Sequence, residues 1–256
     1  MLHTSGVNTG IYQGASAMNA AALWQQAISE NIAASAVPGY KKQQVTFEAV
    51  RSGLLGAQAH QMEVSPQHYS QPTASLRTDF SQGIMRPTGS KTDLAIEGNG
   101  FFEVQLPEGK LAYTRDGEFR LSPTGQLVTK DGYPVASDSG TLQVDLKNPG
   151  TFTVSNTGEA SQGNQNKGKI RLVEFTDPTL LAPMGGGYFT ANDPKLQPTV
   201  STASSVRQGF VEASNGSVVE EMTNLMMAMR SFEANQKVIQ IHDERVNKAI
   251  NELAPS

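Results

Sequence analysis

Towards the C-terminus, apolar residues recur at steps of four and three: Val218, Met222, Leu225, Met229, Phe232, Gln236, Ile239, Asp243, Val246, Ile250 and Leu253. A 3.5-residue period sustained this long, broken only by Gln236 and Asp243, predicts one helix with a continuous stripe facing a partner. Ser217 and Glu220 form a capping-box pair at its start, Lys248 suits the dipole near its end, and Pro255 follows. Most such stripes pack on their own domain. Here Met227, Val238 and Ile241 lie off the stripe, and a helix apolar on more than one side needs more than one partner.

A weaker stripe near the N-terminus runs through Ile11, Ala15, Met18, Ala22, Ile28 and Ile32, with Trp24 beside it. Pro38-Gly39 stops that helix, because proline moves Val37 out of the α region and glycine permits the turn. Isolated helices of this size are marginal in water, so packing must stabilise it. The simplest expectation is that the two terminal helices pair as a coiled-coil-like bundle.

Between the ends the pattern changes from helical to extended. Short apolar runs at 94–96, 101–106, 111–114, 119–121 and 127–129 alternate with turn signals such as Gly98-Asn99-Gly100, Asp116-Gly117 and Asp131-Gly132. Further runs at 142–144, 151–154, 169–175 and 187–190 continue the theme, which predicts antiparallel hairpins. The expected organisation is α+β. An N-terminal assembly helix occupies 1–39, an extended irregular connector 40–91, a mainly antiparallel β domain 92–208, and a C-terminal assembly helix 209–256. The residues expected at the assembly interface are Ile11, Met18, Ile28, Ile32, Met222, Leu225, Met229, Phe232, Ile239, Val246, Ile250 and Leu253.

Composition narrows the function classes. Among 256 residues, 24 Gly and 13 Pro fit many short strands, and a net charge of −4 gives no general attraction to nucleic acid or an anionic membrane. Cysteine is absent, which removes disulfides and thiolate metal sites. No run approaches the ~18 apolar residues of a membrane span. From Met1 to Ser29 there is no Asp, Glu, Lys or Arg. That leader lacks the basic start and apolar run of a cleaved signal.

Candidate chemistry adds little. Gly163-Asn164-Gln165-Asn166-Lys167-Gly168-Lys169 follows the phosphate-loop pattern until Ile170 replaces the required Ser or Thr. The alternating residues after it read as a strand, whereas a phosphate loop must open a helix, so a turn between strands is the expectation. The histidines His3, His60, His68 and His242 have no ligand spacing, and the Asp-Gly pairs lack a calcium loop's oxygen ligands. No catalytic, cofactor-binding or metal-binding residue is assigned, and neither a cofactor nor a small-molecule substrate is expected.

Several segments resemble the bacterial flagellar rod and hook protein family. They are Thr92-Asp93-Leu94-Ala95-Ile96-Glu97-Gly98-Asn99-Gly100-Phe101-Phe102, Tyr113-Thr114-Arg115-Asp116-Gly117-Glu118-Phe119, and Gly125-Gln126-Leu127-Val128 followed by Asp131-Gly132-Tyr133-Pro134-Val135. Towards the C-terminus come Gly209-Phe210-Val211-Glu212-Ala213-Ser214-Asn215, Val219-Glu220-Glu221-Met222 and the stretch Phe232 to Ile239. Asn31-Ile32-Ala33 and Pro38-Gly39-Tyr40-Lys41 fall at the family's helix-ending signature, although Ala34-Ser35-Ala36-Val37 replaces its usual asparagines and threonine. The length resembles the short rod proteins, with Ile11-Tyr12 and the 222–244 stretch nearer the proximal-rod than the distal-rod type.

The resemblance implies a structural subunit of the flagellar basal-body rod, exported through the flagellar type III apparatus without signal cleavage. It would polymerise across the periplasm, with copies of itself and homologous rod and hook subunits, into a hollow shaft that transmits torque. A different fibre or surface adhesin, with a ligand-binding β domain, is the alternative.

Overall fold

A computed structural model of the protein describes residues 4–51, 70–147 and 150–253. The fold is α+β with mainly antiparallel strands. Two compact units are formed by discontinuous stretches of chain. One takes the described parts of 1–32, 43–77 and 218–256, and the other takes 33–42 and 78–217.

The first unit is built on two long helices, α1 (Thr4–Ala33) and α2 (Val218–Leu253), with β1 (Gln43–Arg51) paired to β2 (Ser70–Thr78). Gly14 costs α1 about 1 kcal/mol of helix propensity relative to alanine. Its use is proximity: a Cβ placed there would lie 2.9 Å from Ile239 Cγ1 on α2. Asn31 closes the end of α1, its amide donating to Gln43 O at 2.9 Å and its Oδ1 accepting from Gln43 N at 2.8 Å.

Burial on both helices is rotated from the expected stripes. On α1, Gly14 and Ala21 are buried while Ala15 and Ala22 are exposed. On α2 the covered line runs Glu221, Leu225, Ala228, Phe232, Asn235, Ile239. It keeps the 225/232/239 rail of the predicted stripe and replaces the 222/229/236 rail by its neighbours one residue earlier. At Ala228 and Gly14 small size offers a physical reason: both allow an approach that Met229 would prevent.

The second unit centres on a six-stranded antiparallel sheet. Its order is Ala182–Gly185, Tyr188–Thr190, β6 (Leu111–Thr114), β5 (Phe101–Gln105), Leu172–Glu174 and Thr199–Val200. Phe102 stands opposite both Thr114 and Leu172. Phe102, Val104, Ala112, Leu172 and Tyr188 join the larger apolar cluster on one face, and Phe101, Tyr113, Val173 and Phe189 join a second on the other. Apolar cover on both faces explains why 101–104 reads as a nearly unbroken apolar run instead of alternating.

Two expectations are corrected. Residues 40–91 are not an irregular connector throughout: β1, β2 and β3 (Met85–Pro87) lie within them. The 209–256 segment does not begin as helix. Phe210–Glu212 is a strand paired with β3, just as Ser205–Gln208 pairs with β4 (Leu94–Glu97). Both returns join residues more than a hundred positions apart, and strands this short show no period of their own. Residues 142–144 supply only an isolated bridge, Gln143 to Gln126, although Leu142 and Val144 are buried. The stretch resembling a phosphate loop is the turn and second strand of a hairpin, Glu159–Gln162 with Gln165–Lys169, and opens no helix.

Candidate assembly surface and a buried ion cluster

The residues expected at the interface occupy different environments. Ile28 is buried, and Met18, Ile32, Leu225, Phe232 and Ile239 are half-buried. Met222 and Met229 are 55% and 51% exposed. Ile11, Val246, Ile250 and Leu253 have helical backbones, but their side chains lie outside the described residues.

The exposed methionines belong to a row: Val219, Met222, Met226 and Met229 follow at steps of three and four, all exposed. Val218, Met227, Val238 and Ile241 are exposed as well. Apolar surface concentrated along one helix is costly in water and marks a surface suited to cover. Methionine's unbranched side chain adapts to an irregular partner. Among the described residues, no helix is long and apolar enough to cross a membrane, and no cluster of three or more His, Cys, Asp or Glu could hold a metal.

A second feature was not legible as a site in the sequence. Gly39, with φ +66°, donates its N–H to the Glu212 carbonyl at 2.7 Å. A Cβ on Gly39 would lie 2.2 Å from the Arg115 carbonyl carbon, so chain separation here requires glycine. That packing draws in Lys41, whose fully buried Nζ donates to Glu212 Oε1 and to the Ser81 carbonyl, each at 2.6 Å. Gly83 N–H donates to the same Oε1 at 2.7 Å. From the other side Arg115 Nη1 lies 3.6 Å from Glu212 Oε2, donates to the Gly98 carbonyl, and its guanidinium sits 4.8 Å over the Phe101 ring.

Two cations therefore share one carboxylate inside the second unit. Burial pulls the pKa values of Lys41 and Arg115 down, and Glu212 opposes the shift in each case. Arg115 Nε and Glu212 Oε2 are buried without a hydrogen-bond partner. The signal in sequence was partial. Lys41, Arg115 and Glu212 each lie in a familiar motif, but nothing in one dimension shows that the three motifs meet.

The comparisons with known proteins bear on the whole chain. Residues 95–162 match the flagellar hook protein FlgE/F/G D1 domain, and residues 207–252 match the flagellar basal body rod FlgEFG protein C-terminal family. The flagellar basal-body rod protein FlgG of Buchnera aphidicola (subspecies Baizongia pistaciae) is 32% identical over 237 residues, covering 86% of this chain and 90% of that protein. This chain belongs to the flagellar basal-body rod protein family. It is a structural subunit of that rod, located in the flagellar basal body. FlgG of Bacillus subtilis is 30% identical across 94% of this chain and 97% of its own length. FlgF of Caulobacter vibrioides reaches 37% across 74% of this chain and 76% of its own. The two matched domains include Arg115 and Glu212 of the ion cluster and the methionine row of this rod protein.

Another buried carboxylate supplies a pH test. Glu103 on β5 is 1% exposed; Arg171 Nη1 lies 3.5 Å from Oε1, and Oε2 has no hydrogen-bond partner. Burial raises the Glu103 pKa, with Arg171 opposing. Since the folded pKa lies above the unfolded one, the fold binds this proton more tightly. Glu103's contribution to stability is greatest below the unfolded value, near pH 4, and is lost as pH rises through the folded value. Glu103→Gln removes this desolvated charge and should raise the melting midpoint at pH 7 by about 2–4 °C, roughly 1 kcal/mol, and leave it unchanged near pH 4. Equal gains at both pH values in calorimetry would remove the titration from the explanation.

Proposed function

We propose that this rod subunit polymerises through its terminal helices, with copies of itself and homologous rod and hook subunits, into the hollow axial shaft that transmits torque. The observation carrying this reading is the exposed row Val219, Met222, Met226 and Met229, a helical apolar surface that a neighbouring subunit would cover. The covered rail Leu225, Phe232 and Ile239, with Ile239 against Gly14, supports a paired α1 and α2 as the assembling element. The role is structural and not catalytic. The uncharged leader fits passage through the flagellar export apparatus without signal cleavage, and the shaft would cross the periplasm.

Deleting residues 1–36 removes α1 and the turn after it but none of the strands. The shortened chain should remain soluble, retain the β unit's cooperative melting, and form no filaments by electron microscopy under conditions where the full chain does. Filaments from the shortened chain would overturn the reading.

A further inference from the structure

The segment following α1 and the segment preceding α2 are joined to each other by a run of polar contacts. Gly39 N–H meets the Glu212 carbonyl; Lys41 meets the Glu212 carboxylate; Lys42 N–H donates to Asn215 Oδ1 at 2.8 Å. Asn215 N–H donates to the Tyr40 carbonyl, and its amide donates to the Asp79 carbonyl at 2.8 Å. Neither apolar cluster draws a residue from 33–42 or 212–217. Hydrogen bonds and ion pairs are thus the described links between these segments, outside the two apolar clusters that close the β core. Asn215 makes three of these contacts and Glu212 two, but Glu212 alone brings in charge: its carbonyl holds Gly39, and its carboxylate holds Lys41 and Gly83 and lies 3.6 Å from Arg115.

We propose that Glu212 is an ionic latch, so that segments 39–42 and 213–215 are held or released together while the apolar core stays closed. The charge count makes the latch asymmetric. Removing the Lys41 charge leaves Arg115 and Glu212 matched one to one. Removing the Glu212 charge takes away the one carboxylate the two buried cations share, leaving Lys41 only the attraction of Asp79 and Arg115 that of Glu174, the costlier case. On the assembly reading, the latch makes presentation of the two chain ends a single event.

The test is hydrogen exchange by mass spectrometry on the unassembled full chain, so its failure is distinct from a failure of the assembly reading. In Glu212→Gln, amides of Gly39, Lys42, Gly83, Ala213 and Asn215 should exchange roughly a hundredfold faster, with β5 and β6 amides unchanged. Lys41→Met should give the same pattern at roughly tenfold. If Glu212→Gln does not fold, Lys41→Met decides. Acceleration on one side only, or equal acceleration in β5 and β6, would overturn the latch.

Discussion

Gly117→Ala should abolish cooperative folding of the β unit. A Cβ at this position would lie 1.6 Å from the Leu94 carbonyl oxygen and 2.7 Å from its carbon, both rigid backbone atoms. The same two segments are tied there by Leu94 N–H donating to the Gly117 carbonyl at 3.0 Å. Relieving the overlap must move β4 away, breaking that bond and drawing the fully buried Leu94 and Ile96 out of the core. Each displaced side chain costs about 1.5–3 kcal/mol and each orphaned backbone group about 1–3. Together they approach the whole stability of an ordinary domain, about 5–15 kcal/mol.

Gly132→Ala is the control. Its φ is +89°, but a Cβ there meets nothing within 4 Å, so only left-handed strain of about 1–2 kcal/mol applies. Thermal melting followed by circular dichroism should show a sharp, slightly lowered transition for Gly132→Ala and none for Gly117→Ala. Similar midpoints for the two would show that the close approach to Leu94 is unimportant.

The other large effect is on assembly. The Met222→Asp, Met229→Asp double variant changes two exposed residues, so the unassembled subunit should keep its helical content and melting. Filament formation should fall by more than a hundredfold, because burying two methionines contributes upwards of ~3 kcal/mol and each ~1.4 kcal/mol is tenfold. Leu225→Asp or Ile239→Asp should behave differently. Both lie on the covered rail, and Ile239 sits against Gly14, so helical content of the subunit itself should drop along with assembly. Sedimentation and circular dichroism separate the cases. Polymerisation of the double methionine variant at the parent's rate would exclude this row as the contact surface.

The two rails of α2 show how far the helical pattern could be read. Heptad spacing located the helix and the positions 225, 232 and 239, since any apolar set spaced so must share one side. It could not choose between 222/229 and 221/228 as the second rail, which differ by one residue. Apolarity favoured the methionines, whereas packing space favoured Ala228. Gly117 teaches the same lesson for the sheet. Asp116-Gly117 reads as a turn, whereas the backbone there is irregular, and the glycine is required by the Leu94 backbone, far away in sequence.

By itself the sequence determined the two terminal helices, the strand pairs joined by tight turns, and the family, because each depends on residues near one another in the chain. Only the tertiary structure decided which helix face is exposed, that residues 205–212 return to pair with 85–97, and that Lys41, Arg115 and Glu212 share one buried site. Those outcomes depend on contacts between distant segments, where steric fit and charge compensation act and local periodicity carries no signal.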